Sequence, residues 1–96
     1  MTTKSDLIVK LRELKTSIQQ RYPVKALALF GSYSRETHTS LSDVDILVEL
    51  NGKIGSRFID LADEMENALG LKVDLVSRNG IKPKYFAAIK SELIYV

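Results

Sequence analysis

From Phe30 to Leu50 the chain reads FGSYSRETHTSLSDVDILVEL. An apolar run, Ala26 to Phe30, breaks at Gly31-Ser32. Ten mostly polar residues follow, Tyr33 to Ser42, and then Asp43 and Asp45 stand at the head of a second apolar run. The period-2 rule puts Val44, Ile46, Val48 and Leu50 on one face of that run and Asp43, Asp45, Leu47 and Glu49 on the other. Carboxylates at the start of a buried strand are costly, so this placement asks for a reason.

The flanking segments supply the rest of a small α/β domain. Leu7, Leu11, Leu14 and Ile18 recur at helical spacing and predict a first helix ending near Tyr22-Pro23, because the residue before proline avoids the helical region. Ser32 is a candidate cap for a short helix after Gly31, and Thr37 to Ser42 is loop-like. Asn51-Gly52 and Gly55 mark a turn. Phe58, Leu61, Ala62, Met65 and Leu69 predict a further amphipathic helix, stopped at Gly70. Lys72 to Ser77 reads as a third strand, with Asp74 and Val76 on one face and Val73 and Leu75 on the other. A last helix begins near Pro83, and Leu93 to Val96 reads as a short closing strand. The fold class expected is α/β or α+β: a small mixed sheet with helices mainly on one face. The face carrying Asp43, Asp45 and Asp74 is expected to be the uncovered one.

The 96 residues suit a single domain, 1–96. At 45% apolar and 27% charged, the composition is that of a globular protein rather than a disordered one. A net charge of +2 gives no electrostatic case for direct nucleic-acid binding. The absence of cysteine excludes disulfides and thiolate metal sites and suits the cytoplasm. No apolar stretch approaches the roughly 20 residues of a membrane span. The amphipathic start lacks the apolar core and cleavage site of a signal peptide.

Asp43 and Asp45, two residues apart on one strand, converge, and Asp74 can reach the same cleft from another strand. Unneutralised carboxylates this close repel, and a divalent cation removes that penalty. An all-oxygen donor set without His or Cys selects a hard ion such as Mg2+. Two such ions could clamp the attacking and leaving oxygens of a phosphoryl displacement. Gly31 lets the backbone approach a phosphate, and Ser32 adds a hydroxyl donor. Arg35, one helical turn on, can contact phosphate or brace the acidic strand. Arg35 and Ser42 are counted with Gly31 and Ser32 as candidate nucleotide contacts.

Blander readings attach to other polar residues. His38 reads as a solvated loop histidine, and Lys82 and Lys84 as solvated lysines beside a turn. Glu49 lies roughly 13 Å along the strand from Asp45, outside a metal site. Tyr85, Phe86 and Tyr95 carry an apolar excess that could serve a partner.

The joint pattern G-S-x(10)-D-x-D with a later V-D-L-V strand resembles the signature of the DNA-polymerase-β-like nucleotidyltransferase superfamily. The length, the form GSYSRETHTSLSDVDILVEL and the ending IKPKYFAAIKSELIYV are similar to its minimal nucleotidyltransferases, including the antitoxins paired with HEPN-domain RNase toxins. The resemblance implies Mg2+-dependent transfer of AMP from ATP to a tyrosine hydroxyl of a HEPN toxin, which silences the RNase, and hence a hetero-oligomeric partnership. It implies that Gly31 and Ser32 hold the triphosphate and that Asp43 and Asp45 hold metal. Asp74 then completes the metal site or helps deprotonate the attacking hydroxyl. The C-terminal helical domain with which larger superfamily members bind small acceptors is not seen in these 96 residues, so an acceptor brought by a protein partner is the expectation. Two rivals remain at this stage: an antitoxin that neutralises by binding alone, and an enzyme that modifies a small molecule or nucleic acid.

Overall fold

The computed structural model describes residues 2–96. Helix α1 (Lys4–Ile18) opens with the Thr3 hydroxyl accepting the Asp6 N–H at 3.1 Å, which satisfies one of the donors a helix start leaves unpaired. It buries Leu7, Leu11 and Ile18. It ends four residues short of Tyr22, because the chain turns there and Pro23 needs an extended residue before it. Strand β1 (Val24–Phe30) runs into a five-residue helix, α2 (Gly31–Arg35). After the Thr37–Asp43 loop come β2 (Val44–Leu50), α3 (Arg57–Leu69), β3 (Val73–Ser77), α4 (Pro83–Ile89), a 3-10 turn (Lys90–Glu92) and β4 (Ile94–Tyr95). Gly70 caps α3 in the left-handed conformation, as its position after the last apolar residue predicts.

The four strands form one mixed sheet in the order β3-β2-β1-β4. Strand β1 is antiparallel to both β2 and β4, and β2 is parallel to β3. Parallel neighbours need a crossover, and α3 provides it. On one face Leu27, Leu29, Val44, Ile46, Val48 and Val73 pack against Leu7, Leu11 and Ile18 of α1 and Leu61, Met65 and Leu69 of α3. Each fully buried side chain of this size contributes about 1.5–3 kcal/mol, so this layer dominates stability. The two long helices therefore share one face, as expected.

The opposite face is not left bare. Ala28, Phe30 and Leu47 form a second cluster with Ile89, against which Phe86, Ile81, Val76 and Leu93 pack. Phe30 and Leu47 are too apolar to be left to water, and α4 with the flanking Ile81 and Leu93 covers them. Arg78 lies 3.7 Å from the centroid of the Phe86 ring and closes one side of this cover. Asp43 and Asp74, at the strand ends, remain exposed.

Candidate active site

Strand β2 is an inner strand, and the acidic pair sits at its start, Asp43 just before it and Asp45 its second residue. In register, Asp45 stands opposite Phe30 on β1 and opposite Asp74 on β3. Directly opposed residues put their side chains on the same face, so Asp45 and Asp74 face a common cleft. Asp43 precedes the strand by one residue and is exposed, whereas Asp45 is half-buried. The electrostatics report the crowding. Burial raises the pKa of Asp45 to about 6, the nearby negative charges of Asp74 and Asp43 push the same way, and Arg35 opposes them.

Where β1 ends, Gly31 bends the chain over this carboxylate. Its φ is +75°, a conformation L side chains rarely adopt. Gly31 is buried, and a Cβ there would come within 2.8 Å of Asp45 Cγ. The glycine thus lets backbone and carboxylate meet. Ser32 is the second residue of α2 rather than its cap: the cap position falls on Phe30, whose own side chain makes no capping hydrogen bond. The Ser32 side chain is half-buried beside the bend.

Arg35 does not stand free. Its guanidinium bonds both carboxylate oxygens of Glu92, at 2.9 and 3.1 Å. Ser42 accepts the Thr39 N–H on its hydroxyl oxygen at 2.9 Å and so closes its own loop, just ahead of Asp43. His38 is not solvated as its loop position suggested. Its ring stacks on buried Tyr33, with centroids 4.0 Å apart, and Nε2 lies 3.1 Å from the Thr2 carbonyl oxygen. Its buried Nδ1 has no partner among the described residues. Lys82 and Lys84 are exposed. Glu49 faces the Tyr95 hydroxyl, whose pKa is raised by burial and then by the Glu49 carboxylate.

The structure therefore gathers Gly31, Ser32, Arg35, Asp43, Asp45 and Asp74 at one end of the sheet. It adds Glu92, which sequence reasoning did not single out. The pairing of β4 antiparallel to β1, with Leu29 opposite Ile94, brings it there, and that register is not written in the sequence.

Donor chemistry and placement at this end of the sheet suit a hard divalent ion: carboxylates only, from adjacent strands, with mutual repulsion to relieve. Among the described residues, no three His, Cys, Asp or Glu side chains are arranged to hold a metal ion together. Asp43 and Asp74 are exposed and can rotate at little cost.

A mixed sheet whose inner strand opens on a carboxylate pair beneath a glycine bend is the framework of a nucleotidyl-transfer enzyme. The model of the nucleotidyltransferase domain family matches residues 11–96, and the chain belongs to that family. It is 36% identical over its full length to 98% of a Thermococcus cleftensis protein named protein adenylyltransferase MntA. A structure provisionally described as a minimal nucleotidyltransferase superposes with a TM-score of 0.80 and 29% identity, over 97% of this chain and 95% of that one. A toxin–antitoxin crystal structure with AMP-PNP gives a TM-score of 0.73 and 25% identity, over 90% of this chain and 70% of that one. Among the described residues no helix is long and apolar enough to cross a membrane.

Proposed function

We propose that this single domain, residues 1–96, transfers AMP from ATP to a tyrosine hydroxyl of a HEPN-domain RNase toxin and acts as the antitoxin of that pair. The observation that carries the reading is the position of Asp45, with Gly31 against its carboxylate and Asp74 beside it in register. The protein adenylyltransferase name of a full-length relative and the toxin–antitoxin assembly of a structural neighbour support the reaction and the kind of partner.

In this reading Gly31 and Ser32 receive the triphosphate. Gly31 offers close backbone approach, and Ser32 offers its hydroxyl and its N–H in the unpaired first turn of α2. Arg35, paired with Glu92, presents its remaining guanidinium N–H donors one turn further on. Mg2+ held by Asp43, Asp45 and Asp74 would neutralise charge on the phosphates. The acceptor oxygen attacks the α-phosphorus in line, the bond from that phosphorus to the bridging oxygen breaks, and pyrophosphate leaves. The hydroxyl proton passes to a carboxylate, and Asp74, which is exposed, is the candidate to take it. The contribution of the protein is mostly positioning and charge complementarity. The shallow, acid-lined end of the sheet suits an acceptor presented by another protein.

The test is incubation with α-labelled ATP, Mg2+ and a HEPN-domain RNase toxin from the same organism. Label should move to the partner and be lost when its acceptor tyrosine is changed to Phe. Label that moves instead to RNA or a small hydroxylated compound, or does not move, overturns the proposal.

A further inference from the structure

The C-terminal limb reaches the site through one residue. Glu92 ends the 3-10 turn after α4, and its Oε1 accepts the Gly31 N–H at 2.9 Å. The same carboxylate takes the Arg35 guanidinium at 2.9 Å on Oε2 and 3.1 Å on Oε1. The Glu92 carbonyl oxygen accepts the Ser34 hydroxyl. One residue thus binds three donors spread over residues 31–35. Its side chain is 17% exposed against 52% for Arg35, so the carboxylate is shielded while the guanidinium stays open to a ligand.

We propose that Glu92 is a positioning residue for the nucleotide: it fixes the Gly31-Ser32 bend and aims Arg35, and acts on the triphosphate only through them. The inference rests on the nucleotide-transfer reading above. Two physical arguments carry it. A helix of five residues cannot hold itself, and the left-handed Gly31 at its head has more freedom to lose than any other residue type, so the bend needs an outside clamp. A free arginine also gives up about 2 kcal/mol of rotamer entropy on binding a phosphate, and a prior ion pair removes part of that cost. A lone carboxylate here would repel a polyanion. Paired with Arg35 it forms a neutral unit that keeps the clamp without the repulsion.

Binding of AMP-PNP with Mg2+ to the full chain, measured by calorimetry well below the melting temperature, tests this. Glu92→Ala removes the acceptor for Gly31 and the partner of Arg35, and affinity should fall about tenfold or more. Glu92→Gln keeps an oxygen for Gly31 and should stay within about threefold of wild type. Glu92→Asp keeps the charge but is one methylene short, and should bind worse than the Gln variant. The double variant Arg35→Ala/Glu92→Ala should bind no more weakly than the product of the two single losses predicts, and markedly better if the pair acts as one unit. Alanine and aspartate variants that lower only the melting temperature and leave affinity unchanged overturn the proposal. So does an alanine variant that binds more tightly, which would make the carboxylate a competitor of phosphate. If the alanine variant does not fold, the Asp–Gln comparison decides. Absence of binding by the wild type would instead sink the nucleotide-transfer reading itself.

Discussion

The Cα of Gly31 rests against the side chain of Asp45, so closely that a methyl group there would sit 2.8 Å from Asp45 Cγ and 3.0 Å from its Cβ. The glycine is required twice over, by its φ of +75° and by this approach. Gly31→Ala must carry a left-handed residue, at about 1–2 kcal/mol, and must also push the Asp45 side chain away. The melting temperature should fall by at least about 5 °C, and AMP-PNP binding should be lost. A variant that melts like wild type and still binds the nucleotide contradicts this account of the bend.

The three carboxylates should separate stability from activity. Asp43→Asn, Asp45→Asn and Asp74→Asn should each cut AMP transfer by about a thousandfold or more, because each removes charge from the proposed ion site. None should unfold the protein, since Asp43 and Asp74 are exposed and Asp45 gives up an unfavourable charge. Label transfer paired with thermal melts reads both quantities on the same samples. Undiminished transfer by any one variant removes that residue from the site.

Asp45 also makes a signed pH prediction for the metal-free protein. Its folded pKa is raised from 3.8 to about 6, first by burial and then by Asp74 and Asp43. Between those values the folded state binds more proton than the unfolded state. The favourable contribution of this group is therefore complete below about 3.8 and disappears as pH rises through about 6. With solvent screening allowed for, the loss is on the order of 1 kcal/mol. Denaturant midpoints at pH 5 and pH 7.5 should show it in wild type and show less of it in Asp45→Asn. A pH dependence identical in the two proteins would refute the assignment.

Much of this arrangement was legible in the sequence because it is local or periodic. The strand alternation around Asp45 and Asp74, the break at Gly31 and the stop at Gly70 are written in single residues whose physics admits few alternatives. Three things were not legible. The cover of the second sheet face by α4 depends on where Ile89 and Phe86 fall after the Arg78–Ile81 turn, a tertiary matter. The half-buried stack of His38 on Tyr33 rests on a loop path that composition does not dictate. Glu92 meets Gly31 across 61 positions, through a two-residue strand whose register no pattern fixes beforehand.

Two core substitutions of similar severity should have different effects on the site. Leu61 is fully buried on the α1–α3 face, and Ile89 is 7% exposed on the α4 face. Changing either to Ala should cost about 2–4 kcal/mol through lost burial and a residual cavity, with Leu61 at the upper end. Ile89, however, immediately precedes the turn that carries Glu92 and packs against the layer holding Phe30, whose next residue is Gly31. Loosening it frees the limb that grips the bend, while loosening Leu61 leaves that limb seated. At a temperature where both variants are fully folded, Ile89→Ala should weaken AMP-PNP binding several-fold and Leu61→Ala should not. Circular dichroism melts establish the matched conditions, and calorimetry gives the affinities. Equal affinities for the two variants would mean that the second-face layer does not support the nucleotide end of the sheet, and that Glu92 holds its partners without help from α4.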